Sequence, residues 1–400
     1  MATRRRLTAV TEGHRVTTLE LFFDLVFVYA ITQTVELMSD HLTLLGLAQG
    51  VVVVAVLWWC WCAYAWLGTT VRADEGAARY ALLGAMAVLL LVALTIPEAF
   101  TDFEGGLFAP LLFAVCYLLV RLLHLGAYLG AARDDAALRS VVLRSTAPGI
   151  CGALILAGAA FASGWTQLVI WVLALGIDYV GVRAAGAHGW RVPAPGHFAE
   201  RFGLVVIIAL GESIVAIGVG ISTLPMTWLV ALTATLGLLL VTSLWWLYFG
   251  VVASVAERRL TTATGDERVR YATDSYTYLH LPLVTGIVLL ALGMKKALLY
   301  VADPEQYPPG AALHGIPMWA LTGGVALYLG TLSALRKRNL GGWNVQRLVT
   351  AGVLLALTPA LELLPAAAMV AAVAAVLVAL MAFERFVLAG RRARLIQHGY

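Results

Sequence analysis

Glu20 and Asp24 stand four residues apart at the start of an apolar run, TTLELFFDLVFVYAITQ, residues 17–33. On a helix that spacing puts both carboxylates on one face, about 6 Å apart along the axis. Thr17-Thr18-Leu19-Glu20 also fits a capping box, in which a threonine hydroxyl and an acid three residues later satisfy the free amides of a helix start. Capping accounts for Glu20, and His197-Phe198-Ala199-Glu200 offers Glu200 the same part further on. It does not account for Asp24. A carboxylate exposed to hydrocarbon is unfavourable by about 2.5 kcal/mol or more, so Asp24 is expected to face protein or a water cavity. Two readings stand: an ion pair with Arg121 or Arg201, or a substrate or coupling site.

Glu212 lies twelve residues beyond Glu200, about 18 Å further along the same helix and close to the bilayer midplane. No cap reaches that depth. Glu212-Ser213 reads either as a buried group hydrogen-bonded between helices or as a functional ionisable site. Gly203, Gly211, Gly218 and Gly220 are expected to admit a close neighbour to that helix. Arg121 and His124 share a helical face, and Arg121 is the expected counter-charge of Asp24 or Glu212. Asp178 is expected to pair locally with Arg183. Asp274, Tyr278 and His280 open a later run, TDSYTYLHLP, where Pro282 is expected to kink the helix beside a cavity wall. His280 reads as a proton relay or as a helix–helix hydrogen bond. Lys295 and Lys296 can snorkel to the interface.

Membrane helices must position these groups. The 400 residues are 61% hydrophobic and 12% charged, with mean hydropathy +0.87. Soluble domains carry about 25% charged residues. An all-α polytopic membrane protein is implied. Apolar stretches of about 20 residues predict twelve spans: 18–38, 43–67, 78–97, 107–130, 141–162, 165–183, 202–221, 226–250, 273–301, 316–335, 344–363 and 366–388. With both termini cytoplasmic, the alternate loops and ends on that side hold 24 of the 27 basic residues; the others, Arg121, Lys295 and Lys296, fall within spans. The opposite loops hold acids such as Asp40, Glu98, Asp102 and Asp303. Trp58, Trp59, Trp61, Trp66, Trp245 and Trp246 are expected to anchor spans at headgroup level. The basic opening MATRRR precedes a run carrying Glu20 and Asp24, so no cleaved signal is expected.

Short matches recur in order across the two halves. Glu20-Leu21-Phe22 answers Glu200-Arg201-Phe202, Leu57-Trp58-Trp59 answers Leu244-Trp245-Trp246, and Arg79-Tyr80 answers Arg270-Tyr271. The expected organisation is a cytoplasmic segment 1–17, a six-helix repeat 18–183, a cytoplasmic linker 184–201, a second parallel repeat 202–388 and a basic tail 389–400. Such duplications are common among secondary transporters.

Phosphate-binding Gly-rich loops, His-Glu-x-x-His and Gly-x-Ser-x-Gly motifs are absent from the sequence. No cofactor, metal or nucleotide is expected, and topology explains the arginines without nucleic acid. Cys60, Cys62, Cys116 and Cys151 lie in apolar runs and read as packing residues. The expected partners are the lipid bilayer and an unidentified small solute or ion.

LELFFDLVFVYAITQ, ERFGLVVIIALGESIVAIG and YTYLHLPLVTGIVLLALG resemble motif blocks of the bacterial low temperature requirement protein A family, over about residues 13–390. The resemblance implies a multi-pass bacterial inner-membrane protein, linked by name to growth in the cold, without an established reaction. Its motif positions fall here on Glu20, Phe22, Phe23, Asp24, Glu200, Arg201, Gly211, Glu212, Ser213 and His280. Phe22-Phe23-Asp24 also resembles the first helix of a group of bacterial potassium channels, over that helix only. Three functions stay open. A secondary transporter, proton-coupled in one version, needs Asp24, Glu212 and Arg121 on a solvent-reachable cavity. An intramembrane enzyme acting on a lipid or amphiphile needs His124, His197 or His280 beside a carboxylate. A cation channel needs a continuous polar pore.

Overall fold

Hydrocarbon leaves backbone amides no partner but each other, and the chain is helical accordingly. A computed structural model describes residues 15–386; the arginines Arg4, Arg5 and Arg6 and the predicted tail 389–400 lie outside the described residues. Seven helices come first: α1 Thr18–Asp40, α2 Leu44–Thr70, α3 Gly76–Thr95, α4 Ala109–Ala131, α5 Ala136–Ala159, α6 Gly164–Ala185 and α7 Pro195–Val219. Then α8, Trp228–Leu247, runs through a π-helical turn, Tyr248–Val252, into α9, Ala253–Thr262. Next, α10, Gly265–Tyr271, passes through a second π segment, Ala272–Tyr278, into α11, His280–Ala302. The chain closes with α12 Gly315–Leu340, α13 Val345–Leu361 and α14 Ala366–Phe386.

Local chemistry sets the ends. Side chains of Thr17, Thr43, Asp135, Thr227 and Asn344 accept amides in the first turns of α1, α2, α5, α8 and α13. Gly341, at φ 81°, ends α12 in the left-handed region. Pro195 begins α7, where its missing N–H costs nothing. That start is seven residues ahead of the predicted span.

Among the described residues, eleven helical segments are long and apolar enough to cross a membrane, against twelve predicted spans. The remaining predicted span, 344–363, is α13, an apolar helix of 17 residues. At 1.5 Å per residue it is about 26 Å long, near the lower limit for crossing.

The described residues divide into two compact units: those up to 201 with 263–272, and 202–262 with those from 273 onward. In the first, α1 packs on α2 and α3, α4 on α3 and α5, and α2 and α5 on α6. In the second, α11 packs on α8, α12 and α14, and α13 on α12 and α14. One close backbone approach joins α11 to α12. A Cβ on Gly324 would lie 2.6 Å from the Gly286 carbonyl and 2.7 Å from the Leu290 amide, and one on Gly286 would lie 2.7 Å from the Gly324 carbonyl. Two glycines thus let backbones meet where lipid supplies no hydrophobic drive.

Gly324→Ala should therefore destabilise by about 1–3 kcal/mol through overpacking. Gly323→Ala, with nothing within 4 Å of its added Cβ, should gain up to about 1 kcal/mol from helix propensity. Denaturation midpoints of the two proteins in one detergent decide it; equal shifts would refute the tight contact.

Candidate functional site

The capping box forms. The Thr17 hydroxyl accepts from the Glu20 amide at 3.3 Å, and the Glu20 carboxylate accepts from the Thr17 amide at 2.9 Å. Glu20 does more than cap. Its Oε1 lies 3.1 Å from His197 Nε2 and 3.7 Å from Arg201 Nη1, both on α7. A Cβ at Gly68 on α2 would stand 2.7 Å from that same oxygen, so the glycine makes room for the carboxylate. One turn deeper, Asp24 Oδ1 accepts from Arg201 Nη2 and from Trp61 Nε1, each at 2.9 Å. The guanidinium also lies 5.6 Å from the Trp61 ring centroid.

Glu20, Asp24, Trp61, His197 and Arg201 are all at most 3% exposed. Their hydrogen bonding is incomplete. Asp24 Oδ2, Arg201 Nε and Arg201 Nη1 are buried without a hydrogen-bond partner among the described residues. A cavity of about 10 Å³ beside Glu20 and Arg201 is close to the room one water needs. Every residue of this cluster belongs to the first unit.

Arg121 meets a different partner from the one expected. Its Nη2 pairs with Asp178 Oδ1 at 3.0 Å, and the Tyr117 hydroxyl donates to Asp178 Oδ2 at 3.0 Å. Asp178 therefore binds α4 across to α6 instead of Arg183 on its own helix, and Arg121 is the counter-charge of neither Asp24 nor Glu212. Gly149 of α5 permits the pairing: a Cβ there would fall 2.3 Å from Arg121 Nη2 and 3.0 Å from Asp178 Oδ1. His124 lies 3.0 Å from the Ala63 carbonyl.

In the second unit, His280 Nε2 lies 2.8 Å from the Tyr248 hydroxyl and its Nδ1 lies 2.8 Å from the Ser275 carbonyl. Tyr276 stacks on the imidazole, centroids 5.3 Å apart. Tyr248 and Ser275 both sit in the π-helical segments, whose wider turns aim them at the histidine. Pro282 falls in the first turn of α11, directly after the π segment that carries Ser275. Asp274 pairs with Arg338 at 3.0 Å. Glu212 and Ser213 are buried on α7, and the Ser213 hydroxyl donates to the Ile287 carbonyl at 3.4 Å. Of the glycines expected to admit a neighbour, Gly220 has Lys295 Cγ at 3.2 Å and Gly203 has Phe249 at 3.5 Å; Gly211 and Gly218 have nothing within 4 Å. Arg347 holds Glu384 through two bonds of 2.8 Å, and its third nitrogen donates to the Leu247 carbonyl at 3.2 Å.

Glu200 does not cap α7. The helix starts at Pro195, leaving Glu200 exposed in its second turn, where it accepts from the Val16 amide at 3.4 Å. His197, its supposed cap residue, is buried against Glu20 instead. Sequence reasoning also passed over Trp61, taken as an interface anchor although it is 1% exposed and bonded to Asp24.

A family model described as bacterial low temperature requirement A protein (LtrA) matches residues 15–382. The chain belongs to the LtrA family. It is also similar to an uncharacterized protein of Rhizobium meliloti (strain 1021), 30% identical over 323 residues, covering 76% of this chain and 75% of that one. No solved structure matches. The buried acid–arginine cluster thus sits in a membrane chain of LtrA type, on the α1 and α7 segments that carry the family resemblance.

Breaking a buried pair leaves an uncompensated charge, unfavourable by about 3–5 kcal/mol. Asp24→Asn and Arg201→Met should each lower the yield of folded protein sharply. The double variant should recover part of it, with a coupling above about 1 kcal/mol. Strictly additive losses in detergent unfolding would sink the pair.

Proposed function

We propose that this LtrA-family chain is a secondary transporter or permease of a small solute, coupled to protons through the Glu20–Asp24–His197–Arg201 cluster. The observation that carries the reading is the set of buried polar atoms left without hydrogen bonds, Asp24 Oδ2 and Arg201 Nε and Nη1. Such groups are unfavourable by about 1–3 kcal/mol each, more when charged, and native folds retain them where a ligand, proton or water completes the bonding. The charge count agrees. Two carboxylates against one permanent cation leave the cluster one positive charge short, and a single proton cancels that deficit. His197 and the open oxygen of Asp24 are the two seats for it. A group that gains and loses one proton at membrane depth is the element that proton coupling requires.

The remainder of the reading follows from sequence. The proposed setting is the bacterial inner membrane, with both termini cytoplasmic and two parallel six-helix repeats. Glu212 and Ser213 are proposed as the corresponding polar groups of the second half, with His280 and Asp274 as further coupling candidates. Arg121, neutralised by Asp178, is assigned a structural role. The contact of His197 with Glu20 at 3.1 Å also favours the second reading, an intramembrane enzyme working on an amphiphile. That chemistry needs a reacting carbonyl or ester within reach of the pair, and about 10 Å³ of space holds none.

Proteoliposomes loaded with a pH-sensitive dye separate these readings. A panel of amino acids, sugars and carboxylates added outside should contain a member whose uptake moves protons inward. Asp24→Asn should abolish the proton signal at least tenfold more than it lowers binding of that solute. Uptake and proton movement unchanged in Asp24→Asn would remove the cluster from the mechanism.

A further inference from the structure

The second unit carries a partly open cavity of about 270 Å³. Its walls are the π turn after α8, the end of α12, the start of α13 and the last turns of α14. Trp246, Val251, Val255 and Met381 are among its apolar lining residues, and Arg336, Asn344, Gln346 and the Arg347–Glu384 pair among its polar ones. Among the described lining residues Glu384 is held by Arg347 through two 2.8 Å bonds, and Arg336, whose Nη1 donates to the Trp343 carbonyl, is a further cation on the wall. The first turn of α13, which contributes Val345, Gln346 and Arg347 to the lining, adds the positive end of its dipole.

Two further features fix the level of the cavity. Trp246 and Trp343 are 39% and 45% exposed, and Lys337 lies over the Trp343 ring at 4.4 Å. Half-exposed tryptophans beside the run Arg336-Lys337-Arg338 mark the headgroup layer. On this membrane chain the exposed apolar residues that continue the cavity's mouth, such as Val345 at 60%, lie against acyl chains. A volume just under that of common small-molecule sites suits a headgroup and not a whole lipid.

We infer that this cavity binds the phosphodiester headgroup of an anionic phospholipid. The phosphate sits by Arg336 and the α13 amino end, and the acyl chains leave past the apolar lining residues. Basic pockets between helices at headgroup level recognise lipids in this way.

The test uses the full chain purified in detergent, incubated with phosphatidylglycerol, phosphatidylcholine or glycerol phosphate and read by native mass spectrometry and thermal shift. Phosphatidylglycerol should be retained at least about fivefold better than phosphatidylcholine, the margin for one basic contact at a membrane surface. Arg336→Gln should bring the two lipids level. Gln346→Glu should do the same while melting without lipid no lower than wild type, since an acid in a first helical turn favours the helix. Equal retention of both lipids by wild type, or undiminished phosphatidylglycerol binding by Gln346→Glu, would overturn the site. Glycerol phosphate displacing the lipid at equal concentration would overturn the lipid assignment in favour of a soluble phosphate.

Discussion

Hydrocarbon supplies no counter-charge, so an ionised side chain carried into a membrane helix must find its partner inside the fold. Among the described residues, three arginine–carboxylate pairs, each with a buried arginine, answer that demand. Asp24–Arg201 ties α1 to α7, Arg121–Asp178 ties α4 to α6, and Arg347–Glu384 ties α13 to α14. Helices in lipid gain little from hiding apolar surface against each other, and close packing with polar bonds has to hold them. The pairs and the glycine contacts are one arrangement. Gly68 leaves room for the Glu20 carboxylate and Gly149 for the Arg121 guanidinium, so packing and charge pairing are satisfied at the same positions.

Arg121 Nε and Arg201 Nε are both buried without a hydrogen-bond partner among the described residues, so the pairs differ in how completely their carboxylates are satisfied. Arg347 uses three nitrogens, two on Glu384 and one on a carbonyl. Asp178 uses both oxygens. Asp24 crowds two donors onto one oxygen and leaves the other without a partner. A pair built only to hold helices together would gain from closing that gap.

How much of this the sequence showed depended on the range of the interaction. Helices and their approximate ends follow from composition, because a stretch of about 20 apolar residues is a local property. The capping box at Thr17 and Glu20 is local too. Asp24's partner was narrowed to Arg121 or Arg201, since depth along a helix can be counted while the neighbour on each side cannot. Arg121–Asp178 escaped for that reason: 57 residues separate them, and Arg183, five residues from Asp178, was the nearer guess. Pro195 is the local signal that starts α7 ahead of the apolar run and carries His197 inside the helix. The π segments left no trace, since a wide turn has the same composition as a narrow one. Trp61 was hidden by its company, four tryptophans in nine residues that read together as an interface belt.

The π turns at Tyr248–Val252 and Ala272–Tyr278 bear on how relatives of this chain are compared. A π turn amounts to one extra residue accommodated within an α-helix, and each residue rotates the following side chains by about 100°. A homologue lacking that residue would keep the same faces on both flanks while losing the bulge between them. Correct alignments of such homologues would open a single-position gap in mid-helix at these two places. Gap penalties that forbid interruptions within helices would instead slide every downstream residue by one and put the equivalent of His280 on the wrong side of its helix.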